Sequence, residues 1–312
     1  MYSRKDKEDF LKLFTSGDIN IVRKSYDIKN SFMPNKFYKY KTLNGKSRER
    51  IEKDMCYDYL YLSTIDSLND PFDSYSIHNK EELSLFNNKE IYINSVKKFF
   101  NDEEINNIFN SEDWLRTLYK EVAKKASKNS ESSEELYNSI MHSIKKGVNN
   151  VVDIYNKMIK EKIRVCSLTT KYDNMVMWWS YADKMKGACV EYDISNIEDK
   201  TIKNSIFPVI YRDKLLDITL DIKTWHNLNL NNLIKYSLIK LNDWEYEDEW
   251  RVIGFEDFPN KEWFKFVKPR RVILGYAVEN EHKMFIKSIC KQHNIELCSA
   301  IITVNGLELI NL

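Results

Sequence analysis

One stretch decides most of what this sequence says about its fold: residues 244–253 read WEYEDEWRVI. Four acids, two indoles and one arginine stand at the start of a segment that predicts a buried strand. In an extended chain, successive side chains point to opposite faces. Glu247, Glu249 and Arg251 would therefore share one face of the strand. Trp250 would lie on the opposite face.

Two carboxylates on one face repel each other, and burying each costs free energy unless a cation or a donor meets it. In a structural interpretation, Arg251 neutralises the pair. It would bind one of Glu247 and Glu249 bidentately, and the other would be tied to Lys240 or Arg271.

A catalytic interpretation of the same glutamates stays open. Both would then face a cleft together with Lys39 or Tyr40. At least one of them would lack a complete salt bridge to Arg251, because a carboxylate stabilises a developing cation only if no protein cation already saturates it.

Composition excludes several classes of protein. The 312 residues include 48 basic and 47 acidic side chains, a formal net charge of +1, so no global charge signal indicates nucleic acid. No apolar run is long enough for a membrane span, and residues 1–6 lack the apolar stretch of a signal peptide. The five cysteines show no paired spacing, which is typical of reduced thiols. We therefore expect a cytoplasmic protein without a membrane partner.

Motifs for common cofactors and for common hydrolases are missing. The seven glycines form no GxGxxG or GxxxxGK[ST] pattern, so a bound nucleotide must be held by side chains or by another loop design. Cys290, His293 and Cys298 come nearest to a metal pattern but lack a second ligand pair, and no metal is expected. The five histidines have no nucleophile at an interpretable spacing, which gives a Ser-His or Cys-His hydrolase little support.

The chain divides into stretches of different character. Residues 1–35 are expected to form an N-terminal helical extension, and 36–312 a single α+β domain. Within that domain, 36–75 and 162–312 favour strands, whereas 78–160 have apolar positions at helical spacing. Neither strand block alone has enough apolar faces to close a core. We therefore predict an α+β fold with one mainly antiparallel mixed sheet system and a helical insertion. The strands predicted in the second block are Ile163–Thr169, Ala188–Ile194, Ile206–Tyr211, Trp250–Phe255, Arg271–Tyr276 and Leu297–Val304.

Residues 173–187, DNMVMWWSYADKMKG, predict an amphipathic helix that lies on the sheet. Asp173 or Asn174 can cap its first turn, and Gly187 supplies a left-handed stop. Its apolar stripe comprises Met175, Trp178, Trp179, Ala182 and Met185.

Aromatic residues of this helix have two interpretations. Trp178 and Tyr181 share a face, either as core residues or as a stacking platform for a planar ligand. We expect at least one indole, Trp178 or Trp179, to be fully buried and the Tyr181 hydroxyl to lie near a polar cleft. Replacing Trp179 with alanine would then lower stability by roughly 3–5 kcal/mol.

A further candidate site is the turn Asn69–Asp73, which reads NDPFD. Pro71 keeps Asp70 out of helical geometry, and Asn and Asp side chains close turns onto their own backbone. The turn is either a rigid connection whose acids cap neighbouring amides or the mouth of a pocket. In the second case Asp70 or Asp73 would meet a ligand hydroxyl or a basic side chain.

Together these segments resemble a widespread bacterial family of unknown function. The resemblance covers about residues 36–305, and it rests on YKY at 38–40, LYLS at 60–63, NDPFD at 69–73, CSLT at 166–169, MWWSYA at 177–182, KG at 186–187, WEYEDEWR at 244–251 and RVILG at 271–275. It implies a cytoplasmic bacterial protein, often from mobile or defence-related gene neighbourhoods, and it supplies no reaction.

The chain also resembles ADP-ribosyltransferases, which lack a phosphate loop. They use a basic residue or a histidine on a first strand, a Ser/Tyr element on a second, and a glutamate near a later strand. The resemblance implies Lys39 in the first role, where arginine or histidine is usual, and Glu247 or Glu249 in the third. That glutamate would hold a ribose hydroxyl of NAD and stabilise the oxocarbenium-like centre as nicotinamide leaves.

Two segments compete for the second role in this resemblance. One offers Tyr61 and Ser63, and the other offers Ser167 and Thr169. The residues expected to bind NAD are Lys39, Tyr40, Tyr61, Ser63, Asn69, Asp70, Asp73, Trp178, Tyr181 and Arg251.

Three hypotheses about function follow, with fold-level analogy as their only link to a reaction. The first is an NAD-consuming transferase or glycohydrolase, a toxin or antiphage effector, with Glu247 and Glu249 as catalytic residues. The second is a non-catalytic sensor of a nucleotide-like small molecule. The third is a protein–protein adaptor in which the Glu/Arg cluster is structural. The expected partners are a nucleotide-like ligand and an acceptor or partner protein.

Overall fold

The computed structural model describes residues 2–79, 89–125, 159–223, 229–255 and 262–312, together with scattered positions between 135 and 157. The chain forms two compact units. The first comprises Met1–Tyr75, Ile159–Leu215 and Asn229–Leu312, and the second comprises Ser76–Met158 and Leu216–Leu228.

The helices, in chain order, are α1 (Arg4–Phe14), α2 (Ile19–Phe32), α3 (Lys46–Tyr57), α4 (Lys89–Val96), α5 (Asp102–Phe109), α6 (Trp114–Lys125), α7 (Met175–Tyr181), α8 (Lys200–Ser205), α9 (Thr219–Lys223), α10 (Leu230–Tyr236) and α11 (Asn280–His293). Short 3-10 helices cover Ile65–Ser67 and Asn242–Glu247.

The strands are β1 (Lys36–Lys41), β2 (Tyr59–Tyr61), β3 (Ser63–Thr64), β4 (Ser76–Ile77), β5 (Ile163–Thr169), β6 (Ala188–Asp193), β7 (Ile206–Pro208), β8 (Ile210–Arg212), β9 (Leu216–Asp217), β10 (Ile239–Leu241), β11 (Glu249–Phe255), β12 (Trp263–Lys265), β13 (Arg271–Leu274), β14 (Glu296–Thr303) and β15 (Gly306–Asn311). The predicted strand 206–211 is divided into β7 and β8, and β10, β12 and β15 were not predicted.

A nine-stranded sheet is the frame of the first unit. Its order is β15-β14-β13-β6-β1-β5-β11-β7, and β3 pairs with β5 outside that path. Among the described strands of this sheet, β13 and β14 pair in parallel and the other pairs are antiparallel. Strand β1, from the first predicted block, pairs with β5 and β6 from the second. The predicted α+β fold with a mainly antiparallel sheet is therefore confirmed.

Apolar side chains cover both faces of the sheet. On one face Phe37 of β1 and Trp250 of β11 belong to a core that includes residues of α3 and α11. On the other face Tyr38 and Tyr40 pack with Trp178 of α7. Strand β1 therefore shows the period of two that an extended chain imposes when both of its faces are buried.

The sheet opens between β1 and β5. These two strands share one residue pair, Tyr38 with Thr169. Farther along β5 its partner is the short strand β3 instead. Ser167 lies in the opening, where its carbonyl accepts a hydrogen bond from Lys39 Nζ at 2.7 Å. A side chain thus bridges the opening where the two backbones have moved apart.

Helix α7 is shorter than the sequence predicts. The Asn174 side chain caps it by accepting two backbone amides, but the helix ends at Tyr181. Residues 183–185 carry the left-handed backbone, so the stop assigned to Gly187 was wrong. Gly187 serves a close approach instead, because a Cβ there would lie 2.2 Å from the Lys41 carbonyl oxygen.

Two neighbouring tryptophans of α7 have different environments. Trp178 is fully buried, and its indole N–H donates to the Tyr172 carbonyl at 2.7 Å. Trp179 is 57% exposed, and Met175 is exposed too. The burial of one indole is confirmed, but the apolar stripe is narrower than predicted. The stability loss assigned to Trp179→Ala loses its basis, because it rested on burial.

The acidic stretch is not one continuous strand. Asn242–Glu247 form a 3-10 helix, Asp248 is left-handed with φ 43° and ψ 55°, and β11 begins at Glu249. The alternation from Glu249 onward is as predicted, with Trp250 in the core. Placing Glu247 on the strand was wrong. Asn and Asp side chains compete for nearby backbone groups and tolerate the left-handed region, so they favour a turn before the strand.

In the second unit, helices α4, α5 and α6 pack around their own apolar cluster. Asn101 caps α5 and accepts from the Glu104 amide at 2.9 Å, while Glu104 accepts from the Asn101 amide at 2.8 Å. Trp114 stacks on Phe109 with ring centroids 5.1 Å apart. Within the described ranges of the whole chain, no helix has the length and apolar character needed to cross a membrane.

Candidate functional site

A cleft of about 290 Å³ lies where β1 and β5 diverge. This volume is close to the lower limit of about 300 Å³ for ligand pockets, so it suits a small ligand or one moiety of a larger one. The cleft is lined by β1, β5, the turn after β3, α7, β10 and the start of β11. The predicted site residues that line it are Lys39, Tyr40, Asn69, Asp73, Tyr181, Glu247 and Glu249.

Arg251 lies behind the cleft and is fully buried. A guanidinium group has five N–H donors, and each has an acceptor. Glu249 accepts from Nε at 2.8 Å and Nη2 at 3.2 Å, and Asp73 accepts from Nη1 at 2.8 Å and Nη2 at 2.5 Å. The Ser237 carbonyl accepts the fifth bond, from Nη1 at 2.6 Å. The prediction that Arg251 binds a ligand was therefore wrong, because no donor remains for one.

Glu249 is the anion that Arg251 binds bidentately, as the structural interpretation expects. Its Oε2 also accepts from Lys240 Nζ at 3.1 Å, and its backbone N–H donates to the Tyr211 hydroxyl at 2.8 Å. Burial by itself would raise the pKa of Glu249, but Arg251 and Lys240 outweigh burial and lower that pKa to about 2. Glu249 is therefore ionised at neutral pH.

Glu247 has a different environment. Its Oε2 accepts from Lys240 Nζ at 2.7 Å, and its Oε1 accepts from the Tyr181 hydroxyl at 2.5 Å. That hydroxyl in turn accepts from Asn69 Nδ2 at 2.8 Å. Burial is the largest influence on the pKa of Glu247 and raises it, as Glu249 does, and the pKa remains raised although Lys240 and Tyr181 act to lower it. In the part of the chain that the structure describes, Glu247 makes no ion pair with Arg251.

The two glutamates therefore share a cleft but not a protonation behaviour. Burial raises the pKa of Glu247, whereas Arg251 and Lys240 lower the pKa of Glu249. Pairs of carboxyl groups with opposite pKa shifts are typical of sites that divide acid–base work between them. The geometry also meets the expectation that both glutamates face a cleft with Lys39 and Tyr40.

The turn Asn69–Asp73 combines both of its interpretations. Asp70 closes the turn onto its own backbone, since its Oδ1 accepts from the Phe72 amide at 2.8 Å. Asp73 meets a basic side chain, Arg251, and Asn69 reaches the cleft through Tyr181. Asp70 is not among the residues that line the cleft, so the structure gives no support to its predicted contact with a ligand.

Tyr61 and Ser63 lie outside this cleft. They line a neighbouring cavity of about 210 Å³. Ser167 and Thr169 lie beside the glutamates instead, and the Thr169 hydroxyl donates to the Glu247 carbonyl at 2.5 Å. Of the two segments that compete for the Ser role, β5 is therefore the one that the structure brings to the glutamates.

Trp178 does not reach the cleft. Its ring stands edge-on to Tyr40, with centroids 5.1 Å apart, inside the core under α7. The predicted stacking of Trp178 on a ligand is therefore wrong, and the core interpretation holds. Tyr181, three residues later, does reach the cleft, and its hydroxyl has the polar surroundings that were predicted for it.

Lys240 is the residue whose importance the sequence understated, since it was considered only as a structural tether. It is buried, donates to both Glu247 and Glu249, and lies 4.5 Å from the Trp244 ring centroid. The signal in the sequence is a single lysine inside the apolar run SLIKL at 237–241. A buried ammonium needs anionic partners, and the acids a few residues later supply them.

Among the residues that the structure describes, no group of three or more His, Cys, Asp and Glu side chains is placed to hold a metal ion. Comparisons with curated proteins and with solved structures gave no match.

A family model does match part of the chain. It covers residues 177–252, from α7 into β11, and this segment carries Tyr181, Lys240 and both glutamates. This portion of the chain is thus similar to a protein family of unknown function, DUF2971.

Proposed function

We propose that this protein cleaves the N-glycosidic bond of NAD, as an ADP-ribosyltransferase or an NAD glycohydrolase, and that Glu247 is the reacting carboxylate. One observation carries the proposal. The buried ion network contains three carboxylates, Asp73, Glu247 and Glu249, against two cations, Lys240 and Arg251. The formal charge of the network is therefore −1. Glu247 is the carboxylate of this network that does not bind Arg251, and it faces the cleft.

This excess negative charge suits the reaction. When the C1′–N bond of NAD breaks, the bonding electron pair leaves with nicotinamide, which departs as a neutral molecule. The ribose C1′ and its ring oxygen then share a positive charge. A preorganised carboxylate stabilises that charge in the transition state more than in the ground state. Glu249 is already held by both cations, so Glu247 is the carboxylate available to the ribose.

The second half of the reaction needs a base. Water or an acceptor group attacks C1′, and its proton passes to Glu247, whose pKa is raised by burial, which makes the carboxylate a stronger base. The Tyr181 hydroxyl holds the carboxylate in position through Oε1. Tyr38 and Tyr40 also line the cleft. Lys39, between them on β1, lines the cleft as well.

A second candidate function is a sensor that binds a nucleotide without turnover. The observation that favours it is that both oxygens of Glu247 already have partners, Lys240 and Tyr181. A ligand would compete for these bonds and could change the position of α7, which carries Tyr181. An adaptor function would instead use the ion network as structure alone.

The proposed enzyme acts in the cytoplasm, where NAD is abundant. The five cysteines are free thiols, as a reducing compartment requires. Consumption of NAD would arrest the metabolism of the cell, which is how a toxin or an antiphage effector would act.

The test is nicotinamide release from NAD by the full-length protein, with and without an acceptor protein. Glu247→Gln keeps the shape of the side chain and removes its charge, and we expect release to fall at least about 100-fold. Glu245→Gln is the matched control, because Glu245 lies on the exposed side of the same 3-10 helix. Its release rate should equal that of the wild type.

Melting temperatures of the three proteins establish that each is folded. Release by the wild type that persists undiminished in folded Glu247→Gln would contradict the role of this residue. Binding of NAD by the wild type without any release would replace the enzyme with the sensor. Absence of both binding and release would leave the ion network as a structural feature.

A further inference from the structure

The cavity next to the cleft is lined by basic side chains. It has a volume of about 210 Å³ and shares Lys39, Tyr40 and Tyr181 with the cleft. The charged residues that line it are Lys39, Lys41 and Arg50. Within the described ranges no acidic side chain lines it, and Thr42 and Ser63 add hydroxyl groups. Such a combination of cations and hydroxyls is complementary to an anion with several oxygen atoms.

Arg50 is the main candidate to bind that anion. Its guanidinium carbon lies 3.5 Å from the ring centroid of Tyr61, so the aromatic face holds the flat group in place. Among the described residues no carboxylate lies within ion-pair distance of Arg50. Arg48, two positions earlier on α3, differs because it pairs with Glu281 at 3.0 Å.

The other two cations differ in how far they are neutralised. Lys41 forms a buried ion pair with Asp54. Lys39 donates to a neutral acceptor, the Ser167 carbonyl. Within the described part of the chain it forms no ion pair with a carboxylate. Lys39 and Arg50 are therefore two cations of this cavity that form no ion pair with a carboxylate among the described residues.

We propose that this cavity binds the diphosphate group of a nucleotide, with Arg50 and Lys39 as its principal ligands. These two cations match in number the two negative charges of the diphosphate bridge in a dinucleotide such as NAD. Arginine suits phosphate oxygens because its N–H groups form a planar fork that binds two of them at once. Lys39 lines both cavities, so a ligand can place its ribose beside Glu247 and its phosphates beside Arg50.

This inference rests on the proposed function only for the identity of the nucleotide. The shared chemistry is a diphosphate, which a dinucleotide and a free nucleoside diphosphate both carry. Two probes separate these sources. ADP-ribose has the diphosphate bridge and a second ribose that would reach Glu247, whereas ADP has the adenosine and the diphosphate without that second ribose.

The experiment is titration calorimetry of the full-length protein with each probe. Loss of charge-assisted hydrogen bonds of about 1.5–3 kcal/mol corresponds to about 10- to 100-fold weaker binding. We expect that loss for Arg50→Gln with both probes. Arg48→Gln is the matched control, with the same substitution on the same helix outside the cavity, and it should bind as the wild type does. The affinity of Arg50→Lys should lie between those of Arg50→Gln and the wild type, since lysine keeps the positive charge but lacks the planar fork of N–H donors.

Equal affinity of the wild type and folded Arg50→Gln for both probes would overturn the diphosphate site, and so would an absence of binding to either probe by the wild type. Binding of ADP-ribose no tighter than ADP, with both dependent on Arg50, supports the site and assigns it to a nucleoside diphosphate.

Failure of this site and failure of the proposed function give different results. If NAD is not cleaved but ADP-ribose binding depends on Arg50, the site stands and the reaction does not. If NAD is cleaved with the same KM by wild type and Arg50→Gln, the reaction stands and the site does not.

Discussion

Strand β11 has two buried faces of opposite chemistry. On one face the Trp250 ring lies 5.6 Å from the Tyr2 and Phe37 centroids and 5.9 Å from that of Phe32. On the other face Arg251 and Glu249 belong to the ion network. Both Trp250 and Arg251 are at most 1% exposed.

These two faces contribute to stability in different ways. The Trp250 face stabilises the fold in proportion to the apolar area it removes from water. The Arg251 face first loses the hydration of several charges, and its ion pairs offset that loss only while every partner is present. A strand that served stability alone could be apolar on both faces. The charged face borders the cleft, which is the reason we give for its retention.

The largest effect should come from breaking the charged face. Arg251→Met leaves Asp73 and Glu249 buried without their cation, and we expect a loss of about 3–5 kcal/mol in the free energy of unfolding at pH 7. Denaturant unfolding followed by tryptophan fluorescence measures this. Arg212→Met is the control, because Arg212 pairs with Glu8 at a partly exposed site and should contribute about 0–1 kcal/mol. A loss below 1 kcal/mol for Arg251→Met would contradict the contrast between the two faces.

Acid should weaken the charged face and leave the apolar face unchanged. The pKa of Glu249 is lowered in the folded protein from 4.5 to about 2, so its contribution is present above the unfolded value and is lost as the pH falls from about 5 toward 2. For a shift of this size the loss is on the order of 3 kcal/mol. Unfolding of wild type and Glu249→Gln across this range should show a stability difference that shrinks as the pH falls.

The stability contribution of Glu247 should depend on pH in the opposite direction, so Glu247 provides an internal control. Its pKa is raised in the folded protein, so its contribution is present below the unfolded value and is lost as the pH rises through the folded value. The stability of Glu247→Gln should therefore increase relative to that of the wild type as the pH rises. Parallel pH profiles for the two glutamine variants would refute the division of roles between Glu247 and Glu249.

The smallest effect should come from α7, where the same contrast occurs between neighbours in sequence. Trp179→Ala should change stability by no more than about 0.5 kcal/mol, because this indole is mostly in solvent. Trp178→Ala is its matched variant, and it should cost about 3–5 kcal/mol through the cavity that it leaves. Thermal or denaturant unfolding of the two variants distinguishes them, and equal losses would mean that the helix is rotated relative to the structure.

Short-range chemistry explains what could be predicted from the sequence. The alternation of Glu249, Trp250 and Arg251 follows from the geometry of an extended chain, and Asn174 caps α7 because its side chain reaches amides two and three residues later. The turn at Asp248 was missed although its cause is local. The apolar run after it outweighed the turn preference of Asn242 and Asp243.

The sequence by itself determined which residue types had to be buried together: two glutamates two positions apart and an arginine beside a tryptophan, in a mainly antiparallel sheet. Only the tertiary structure decided which cation each glutamate received. Asp73 is 178 positions from Arg251, and Tyr181 is 66 positions from Glu247. A pattern in one segment says that a buried charge needs a partner, but it contains no information on distance in space. The opening between β1 and β5 brings these partners together. It arises from strand pairing across the whole sheet, so no single segment of the sequence predicts it.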